Sequence, residues 1–454
     1  MKNSPKNTVA VLGGGISGLV SAYRLLQQGN RVTLFEASDE LGGLGGTFQH
    51  EGHTMEQFYH VMLNTDENLL ALLKELDLDG DASWTETKMG FLYDQTLYPF
   101  NTPVDLLGFG GLSLQGRLRT AFGGAYIAKM LNDPKGLDQI SVSEWLESIF
   151  GAEVFAQLWR PLLRAKFGEL YENVPAYWFW TRLRREKGSA KEVKGYVKGG
   201  YRRIADRLRS EIRKLGGVIK LRTPVYAIQE GPQAIQIHAQ GQWESFDAAV
   251  STLPMPLLRQ IIRGRLDQVV PKQKVAYQGV VNAVCISKKR LQPNYWNAIV
   301  QQNFPFQGLV ETTHVVPMEQ TGGRHLVYLL NYCGKDSETY REVDGNVKFQ
   351  ALKAMKAFNP KFNQDWVEDI RVFRAPYVEP VWPLGYLKDK PRMRCGGSRL
   401  YLATTAQSYP QVNSWNTMVG IANDVAARIH FDLENTLNEK PAAAEVSSAM
   451  AGVI

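Results

Sequence analysis

The chain has 454 residues, of which 44% are hydrophobic and 21% are charged, and it carries a formal net charge of +7. This is an ordinary globular composition at a length that exceeds a usual single domain, so we expect two domains. No apolar run reaches the roughly 18 residues that span a bilayer, which excludes a transmembrane helix. The three cysteines form no CxxC pair, which excludes a disulfide framework and a cysteine-rich metal site.

The first predicted unit is a strand, a glycine turn and a helix. The apolar run Val9–Leu12 suits a buried parallel strand, and a GxGxxG turn follows it before apolar residues recur at helical spacing. A second β-rich run ends on Glu36, about 20 residues after the glycines, where a ribose hydroxyl needs an acceptor. The pattern predicts dinucleotide binding, with the pyrophosphate at the helix N-terminus. The predicted contacts are Gly13, Gly15, Ile16, Ser17, Gly18 and Glu36.

The position at which this strand begins indicates where the protein is located in the cell. Because the strand begins at Val9, no room is left for a signal peptide, and we expect a cytoplasmic protein.

A second glycine cluster, residues 42–46, follows Glu36. A nicotinamide enzyme has no evident need of that cluster, whereas the longer FAD would pass more backbone at close quarters. The sequence therefore favours FAD, with further contacts at Ala37, Gly42, Gly43 and Leu44.

The two glycine clusters resemble the N-terminal motifs of FAD enzymes of the amine oxidase superfamily, which includes protoporphyrinogen oxidase, phytoene desaturase and, more distantly, UDP-galactopyranose mutase. Many members carry Arg after the second glycine pair, where this chain has Leu44. The resemblance implies an α/β fold with a Rossmann-like FAD-binding domain and a second α+β substrate domain inserted in two segments. The implied boundaries are 1–90, 199–262 and 391–433 for the FAD-binding domain, 91–198 and 263–390 for the substrate domain, and 434–454 for a mobile tail.

The segment Met55–His60 resembles the part of the protoporphyrinogen oxidase-like branch that approaches the flavin ring. Tyr59 and His60 are therefore the candidate catalytic residues, which would orient the substrate or carry a proton. The alternative is that Tyr59 packs and His60 is a hydrogen-bonded core residue. His50, His53 and His60 form a local group of histidines, but the resemblance places this stretch beside a flavin, and we expect no metal.

The segment from 159 to 207 is strongly basic, with thirteen Lys and Arg against five Asp and Glu. Something anionic is expected to meet this face. Within it, the aromatic run Tyr177–Trp180 is followed by several arginines, a pattern of segments that lie on anionic membranes. A buried aromatic cluster under a solvated basic helix is the alternative, and we favour it. Nucleic-acid binding is not expected, because the basic residues lack a recognised module.

The remaining sequence patterns predict elements of both domains. Alternating runs at 280–286, 325–332 and 370–374 predict an antiparallel sheet in the substrate domain, with a hairpin at 91–100 and a helix at 349–358. The helix that follows Gly199 and the strand Val218–Leu221 resemble the second FAD-contacting unit of the superfamily. There the backbone of Val225 would meet the adenine.

The last informative stretch resembles the C-terminal FAD motif, in which a strand leads to a helix that points at the flavin pyrimidine. Such a helix end would stabilise negative charge on the reduced flavin. The common pattern has Gly-Asp or Gly-Glu after the strand, where this chain has Thr404-Thr405, and the Thr405 hydroxyl could bond the FAD instead. The helix is predicted to begin at Trp415, Asn416, Thr417 and Met418.

Together these features indicate an FAD-dependent oxidoreductase that takes a hydride from a C–H or C–N bond of a hydrophobic or planar small molecule. The FAD is expected to be non-covalent, because no cysteine or histidine lies in a recognised attachment motif. Two other classes remain open. One is a redox-neutral, flavin-dependent UDP-sugar mutase, with the basic segment on the diphosphate, and the other is a flavin-binding protein without turnover. The sequence gives no oligomeric state.

Overall fold

The computed structural model describes residues 7–102, 104–129, 134, 136–185, 193–272, 275–301 and 304–438. Its strands are β1 (Thr8–Leu12), β2 (Arg31–Phe35), β3 (Thr47–His50), β4 (His53–Glu56), β5 (Met62–Leu63), β6 (Ala82–Glu86), β7 (Met89–Tyr93), β8 (Thr96–Pro99), β9 (Val193–Val197), β10 (Val218–Lys220), β11 (Val225–Glu230), β12 (Ile235–Ala239), β13 (Gln242–Phe246), β14 (Ala248–Ser251), β15 (Ala276–Ser287), β16 (Trp296–Ile299), β17 (Gly308–Glu311), β18 (His325–Cys333), β19 (Val367–Val381) and β20 (Leu400–Leu402).

The helices connect and cover these strands. They are α1 (Ile16–Gln27), α2 (Glu67–Glu75), α3 (Leu114–Lys129), α4 (Val142–Val154), α5 (Arg160–Phe167), α6 (Ala176–Arg185), α7 (Gly200–Lys214), α8 (Met255–Ile261), α9 (Arg265–Val269), α10 (Glu338–Arg341), α11 (Asp344–Phe358), α12 (Tyr386–Asp389) and α13 (Trp415–Asn438). None of these described helices is long and apolar enough to cross a membrane.

A five-stranded parallel sheet in the order β10-β2-β1-β14-β20 forms the Rossmann-like part of the fold, as predicted. Successive side chains of a strand point to opposite faces, so each face of β1 joins a different core. Val9 and Val11 pack under helices α1, α7 and α13. Ala10 and Leu12 pack against the small antiparallel sheet β11-β12-β13. Both faces are covered, which explains the continuous apolar run of β1.

The substrate-domain sheet has seven strands in the order β19-β15-β18-β17-β16-β7-β8. The long central strand β15 pairs antiparallel with both β18 and β19, and the predicted runs at 280–286, 325–332 and 370–374 lie in these three strands. The predicted hairpin at 91–100 is β7-β8, which joins through a parallel pairing with β16. A separate helical core, built largely on α4, α5 and α6, lies beside this sheet.

Two details differ from the expected boundaries. Helix α13 continues to Asn438, so residues 434–438 of the predicted tail are helical, because Leu433 still packs into the core at the end of this helix. Residues 439–454 of that tail lie outside the described part. Strand β9, at the end of the 91–198 segment, pairs with β5 and β6 of the preceding segment. The two segments therefore share a sheet at this boundary.

Candidate flavin site

The glycine turn after β1 has the geometry that a bound pyrophosphate requires. A Cβ built on Gly18 would lie 1.8 Å from the carbonyl oxygen of Gly13, so only glycine allows α1 to approach the turn this closely. A Cβ on Gly15 would meet nothing nearer than the Cα of Gly43 at 3.9 Å, so this side of the turn is open. The N–H groups of Ile16 and Ser17 lie in the first turn of α1, where no acidic residue competes for them.

Glu36 lies at the carboxyl end of β2, beside the turn. Its Oε2 accepts a hydrogen bond from the N–H of Gly14 at 2.5 Å, and its Oε1 accepts from the backbone and side chain of Ser38 at 2.9 and 2.8 Å. A carboxylate offers about four acceptor positions, so Glu36 can hold the loop and still accept a ribose hydroxyl. Ala37 is exposed next to it.

The second glycine cluster lies directly against the first. The N–H of Gly42 donates to the carbonyl of Gly14 at 2.9 Å, and Gly42 has a φ of +115°, which favours glycine. The backbones of Gly15 and Gly43 approach each other with no side chain between them. Leu44 packs against the hydrophobic core, so its apolar side chain has a packing role.

The segment that leads to Val225 runs beside Glu36. The N–H of Thr223 donates to the carbonyl of Glu36 at 2.8 Å, and the N–H of Arg222 donates to the carbonyl of Ser38 at 2.8 Å. Val225 then begins β11. Val225 thus follows, two residues later, a segment that is hydrogen-bonded to the Glu36 backbone, and its contact with the adenine stays a prediction.

The C-terminal motif meets the first helix at the same edge of the sheet. The Ser17 hydroxyl donates to the carbonyl of Ala403, just after β20, at 2.7 Å. The hydroxyl of Ser17 is therefore used to join the two motifs. Two residues further on, the Thr405 hydroxyl lies 3.4 Å from the hydroxyl of Tyr277 on the substrate-domain sheet. Thr405 thus lies where the two sheets meet.

Helix α13 begins at Trp415, as predicted, and its first side chains bind protein. Asn416 accepts a hydrogen bond from the N–H of Leu69 at 3.0 Å, and the Thr417 hydroxyl donates to the carbonyl of Val412 at 2.8 Å. Met418 is buried in the core. The Ser414 hydroxyl accepts a hydrogen bond from the Thr417 N–H at 3.3 Å, so the two N–H groups before it are those by which this helix would stabilise a flavin anion.

Tyr59 and His60 point to different surroundings. His60 packs between Tyr201 and Trp415, with ring centroids at 4.8 and 5.9 Å, and its Nδ1 donates to the carbonyl of Phe58 at 2.9 Å. Burial lowers the pKa of His60 to about 4, so it is neutral near pH 7. These contacts favour the packing role of His60 over proton transfer.

Tyr59 instead faces the substrate-domain sheet. Its ring packs edge-on against Tyr328 on β18, with centroids 6.4 Å apart, and burial raises the pKa of Tyr59. Lys166 lies 5.0 Å from the Tyr332 ring and 3.4 Å from Glu379 Oε1. The sequence analysis singled out neither of these two charged residues. Lys166 lies in the basic segment 159–207, and Glu379 lies among aromatic and proline residues close to Trp382.

Glu56 is a buried carboxyl group that the sequence did not indicate. It lies between helix α7 and strand β18. Its Oε1 accepts a hydrogen bond from the N–H of Tyr201, in the first turn of α7, at 2.9 Å. Tyr328 on β18 donates its hydroxyl to the Glu56 carbonyl at 2.7 Å. Burial raises the pKa of Glu56 to about 7, against hydrogen bonds that lower it.

The basic segment 159–207 is divided among helices α5, α6 and α7, and many of its charges have individual partners. Arg202 pairs with Glu40 and Asp206, and Arg203 pairs with Asp81. Part of the segment, residues 186–192, lies outside the described residues. These acidic partners neutralise part of the segment's charge, and an anionic partner of the segment stays a prediction.

The aromatic run Tyr177–Trp180 belongs largely to the core. Trp178 is only 2% exposed, and its ring packs edge-on against Phe167 at 4.9 Å. Phe179 is also buried, against Trp145 and Trp159. The favoured alternative for this run, a buried aromatic cluster, agrees with these contacts.

The histidine group does not assemble. His50 and His53 are cross-strand partners on β3 and β4, while His60 lies in the aromatic cluster. Among the described residues, metal-ligand spacing occurs at His50, Glu51 and Glu368. Arg324 is paired with both of these carboxylates, so an arginine already provides their counter-charge.

Comparisons with known proteins agree with this geometry. A zeta-carotene desaturase of Zea mays is 29% identical over 180 residues, which are 35% of this chain and 32% of that protein. A coproporphyrinogen III oxidase of Mycobacterium tuberculosis is 27% identical over 299 residues, which are 60% of this chain and 64% of that protein. The chain thus matches between a third and two thirds of the length of these relatives.

Solved structures show the same fold across nearly the whole chain. A protoporphyrinogen oxidase-like protein from Exiguobacterium sp. 255-15 has a TM-score of 0.73 at 16% identity and covers 94% of this chain and 99% of its own. A cyclohexylamine oxidase from Brevibacterium oxydans IH-35A has a TM-score of 0.66 at 16% identity, with 95% of this chain and 100% of its own covered. The model of the flavin containing amine oxidoreductases matches residues 16–412. The chain therefore belongs to the family of flavin containing amine oxidoreductases.

Proposed function

We propose that the protein is an FAD-dependent oxidoreductase that removes a hydride from a C–H or C–N bond of a small organic substrate. One observation carries this proposal. The open glycine turn at Gly15, the acid Glu36 and the N-terminus of α13 all lie at the carboxyl edge of one parallel sheet, where ligands of such sheets bind.

The residues of this edge fit an FAD. Bound FAD supplies a hydride acceptor, and the protein supplies binding, orientation and electrostatics. The free N–H groups of α1 would hold the pyrophosphate, and Glu36 would hold the ribose. The N-terminus of α13 would stabilise negative charge at the other end of the site. Many relatives have an arginine at the position of Leu44. Because Leu44 packs against the core, the backbone N–H groups would bind the phosphates without that arginine.

The FAD is proposed to be non-covalent. Cys285 and Cys395 are buried, and burial raises the pKa of each thiol to about 12, which disfavours the reactive thiolate. Acid precipitation of the yellow protein is expected to release all colour into the supernatant. The released compound should have the mass of FAD. Colour that stays in the pellet would show a covalent bond and would contradict the proposal.

Hydride transfer is proposed over mutase chemistry, because the family model that matches residues 16–412 is that of flavin containing amine oxidoreductases. Under anaerobic conditions, a porphyrinogen, polyene or amine is expected to bleach the oxidised flavin band, whereas a UDP-sugar should leave it unchanged. Turnover of a UDP-sugar only after dithionite reduction would establish the mutase instead. A flavin that none of these compounds reduces or uses would indicate a protein without turnover.

We also propose that the protein contacts anionic membranes peripherally, on their cytoplasmic face. The contacting surface is not the aromatic run Tyr177–Trp180. Helix α3 exposes one apolar ridge at a spacing of four residues, formed by Leu114, Leu118, Phe122 and Tyr126. Leu114 and Phe122 are 75% and 74% exposed. The opposite face of α3 is buried against α4, where Gly123 lies under Phe150. The helix contains Arg and Lys but no acidic residue, so its charge would attract anionic lipid.

Liposome flotation tests this contact. The protein is expected to float with anionic vesicles at low salt and to detach as salt rises, since charges are screened over about 8 Å at physiological ionic strength. The double variant Leu118→Ser, Phe122→Ser should no longer float. Phe349→Ser, at an exposed position on α11, is the matched control and should float as the parent does. A parent protein that stays at the bottom at low salt would rule out the membrane contact.

A further inference from the structure

A buried polar cluster lies where the substrate-domain sheet meets helix α5. Gln278 on β15 and Glu379 on β19 are direct cross-strand partners, and their side chains are only 5% and 6% exposed. Lys166 reaches the cluster from α5, with its Nζ 3.4 Å from Glu379 Oε1. Tyr332 on β18 completes the cluster, with its ring centroid 5.0 Å from Lys166 Nζ. Residues from four distant parts of the chain thus form one polar site inside an apolar domain.

The cluster borders the predicted flavin site. Tyr277, the residue before Gln278, lies 3.4 Å from the hydroxyl of Thr405. Val378, the residue before Glu379, accepts a hydrogen bond from Asn413 Nδ2 at 2.9 Å, and Asn413 lies just before α13. Both cluster residues therefore follow positions that contact the C-terminal flavin motif. The backbone of the cluster is therefore adjacent to that motif.

Two acceptors in this cluster have no hydrogen-bond donor among the described residues. They are Oε1 of Glu379 and Oε1 of Gln278. Lys166 is at ion-pair distance from the carboxylate, but its geometry does not make a hydrogen bond to that oxygen. Buried polar atoms of folded proteins almost always have a partner, because an unpaired one loses the bonds that it would make to water. The two oxygens therefore need a donor that the described protein does not supply.

We propose that Glu379 and Gln278 are specificity-determining residues that accept hydrogen bonds from N–H groups of the substrate, as in a pyrrole or an amine. This inference rests on the proposed oxidoreductase function and names the substrate class of the same site. A hydrocarbon polyene has no donor, so its binding would leave both oxygens unpaired. A site built to bond an N–H group rejects an analogue that lacks it for this reason.

Lys166 has a supporting role in this arrangement. Its ammonium group lies 3.4 Å from Glu379 Oε1 and provides the counter-charge for this buried side chain. Burial lowers the pKa of Lys166, and Glu379 opposes that effect. An ionised carboxylate is a stronger acceptor than a neutral amide. Glu379 is therefore expected to contribute more to N–H recognition than Gln278.

The test measures equilibrium binding without turnover. The flavin-loaded protein is reduced with dithionite, so that it cannot accept a hydride, and is titrated anaerobically with coproporphyrinogen III, with benzylamine and with zeta-carotene in detergent. We expect the parent to bind at least one of the two N–H compounds and not the carotene. Glu379→Gln should weaken that binding roughly 10- to 100-fold, the range for loss of a hydrogen bond to a charged group. Gln278→Met should weaken it roughly 10-fold.

Two controls make the outcome decisive. Glu338→Gln, an exposed carboxyl on α10, should leave binding unchanged. If the Lys166–Glu379 pair were only structural, Glu379→Gln would be less stable than the parent. The Gln278→Met variant, which keeps the pair intact, would then bind the N–H compounds as the parent does. Binding of the carotene alone, binding of none of the three compounds, or unchanged affinity in both cluster variants would overturn the inference. The proposed function fails separately, if the purified parent contains no flavin that dithionite bleaches.

Discussion

A Gly15→Val variant is expected to fold normally and to be purified without its flavin. A Cβ at this position meets no protein atom nearer than the Cα of Gly43 at 3.9 Å, so the fold has room for it. It would, however, project into the open side of the turn, where the pyrophosphate must approach the backbone. We expect FAD affinity to fall by at least about 100-fold, which corresponds to about 2.7 kcal/mol. Flavin absorbance per protein and far-UV circular dichroism measure the two effects.

Two other glycines provide the comparison for this result. Gly18→Val should fail to fold, because even its Cβ would lie 1.8 Å from the carbonyl oxygen of Gly13. Gly80→Val should fold and retain its flavin, since Gly80 is exposed with nothing within 4 Å of a built Cβ. A folded, fully flavinated Gly15→Val protein would mean that the pyrophosphate does not lie at this turn.

The second large effect is a pH-dependent gain of stability in a Glu56→Gln variant. Burial raises the pKa of Glu56 from its ordinary 4.5 to about 7 in the folded protein. The carboxyl group therefore contributes stability that is fully present below pH 4.5 and is lost as the pH rises to 7. Glutamine can accept the hydrogen bond from Tyr201 without becoming charged. The free energy of unfolding of the variant, relative to the parent, should rise by about 3 kcal/mol between pH 4.5 and pH 7.

Urea unfolding in excess FAD, followed by circular dichroism at several pH values, measures this difference. The comparison with the parent cancels the contributions of the other titrating groups, which both proteins share. Glu338→Gln serves as the control for the same substitution at an exposed position. A Glu56→Gln variant that becomes less stable relative to the parent as the pH rises would show that the buried group is ionised throughout, and the prediction would be wrong.

The sequence by itself determined the Rossmann-like part of the fold and its cofactor class. The strand Val9–Leu12, the glycine turn and the acid Glu36 are close in the chain, and each has a backbone or burial requirement that few residue types satisfy. The strands at 280–286 and 325–332 were also predictable, because a strand in a buried sheet imposes a local apolar pattern. The start of α13 at Trp415 followed from the resemblance of this stretch to the C-terminal FAD motif of the superfamily.

The tertiary structure decided which side chains meet. His60 follows Tyr59 directly in sequence, but it packs against Tyr201 and Trp415, whereas Tyr59 packs against Tyr328. The dense charge of residues 159–207 suggested one anionic partner, although the structure pairs these residues with acids from several segments. Lys166 and Glu379 are more than 200 residues apart, and no local pattern relates them. Periodicity and turn chemistry act over a few neighbouring residues, whereas burial, pKa and pairing depend on residues that only the folded chain brings together.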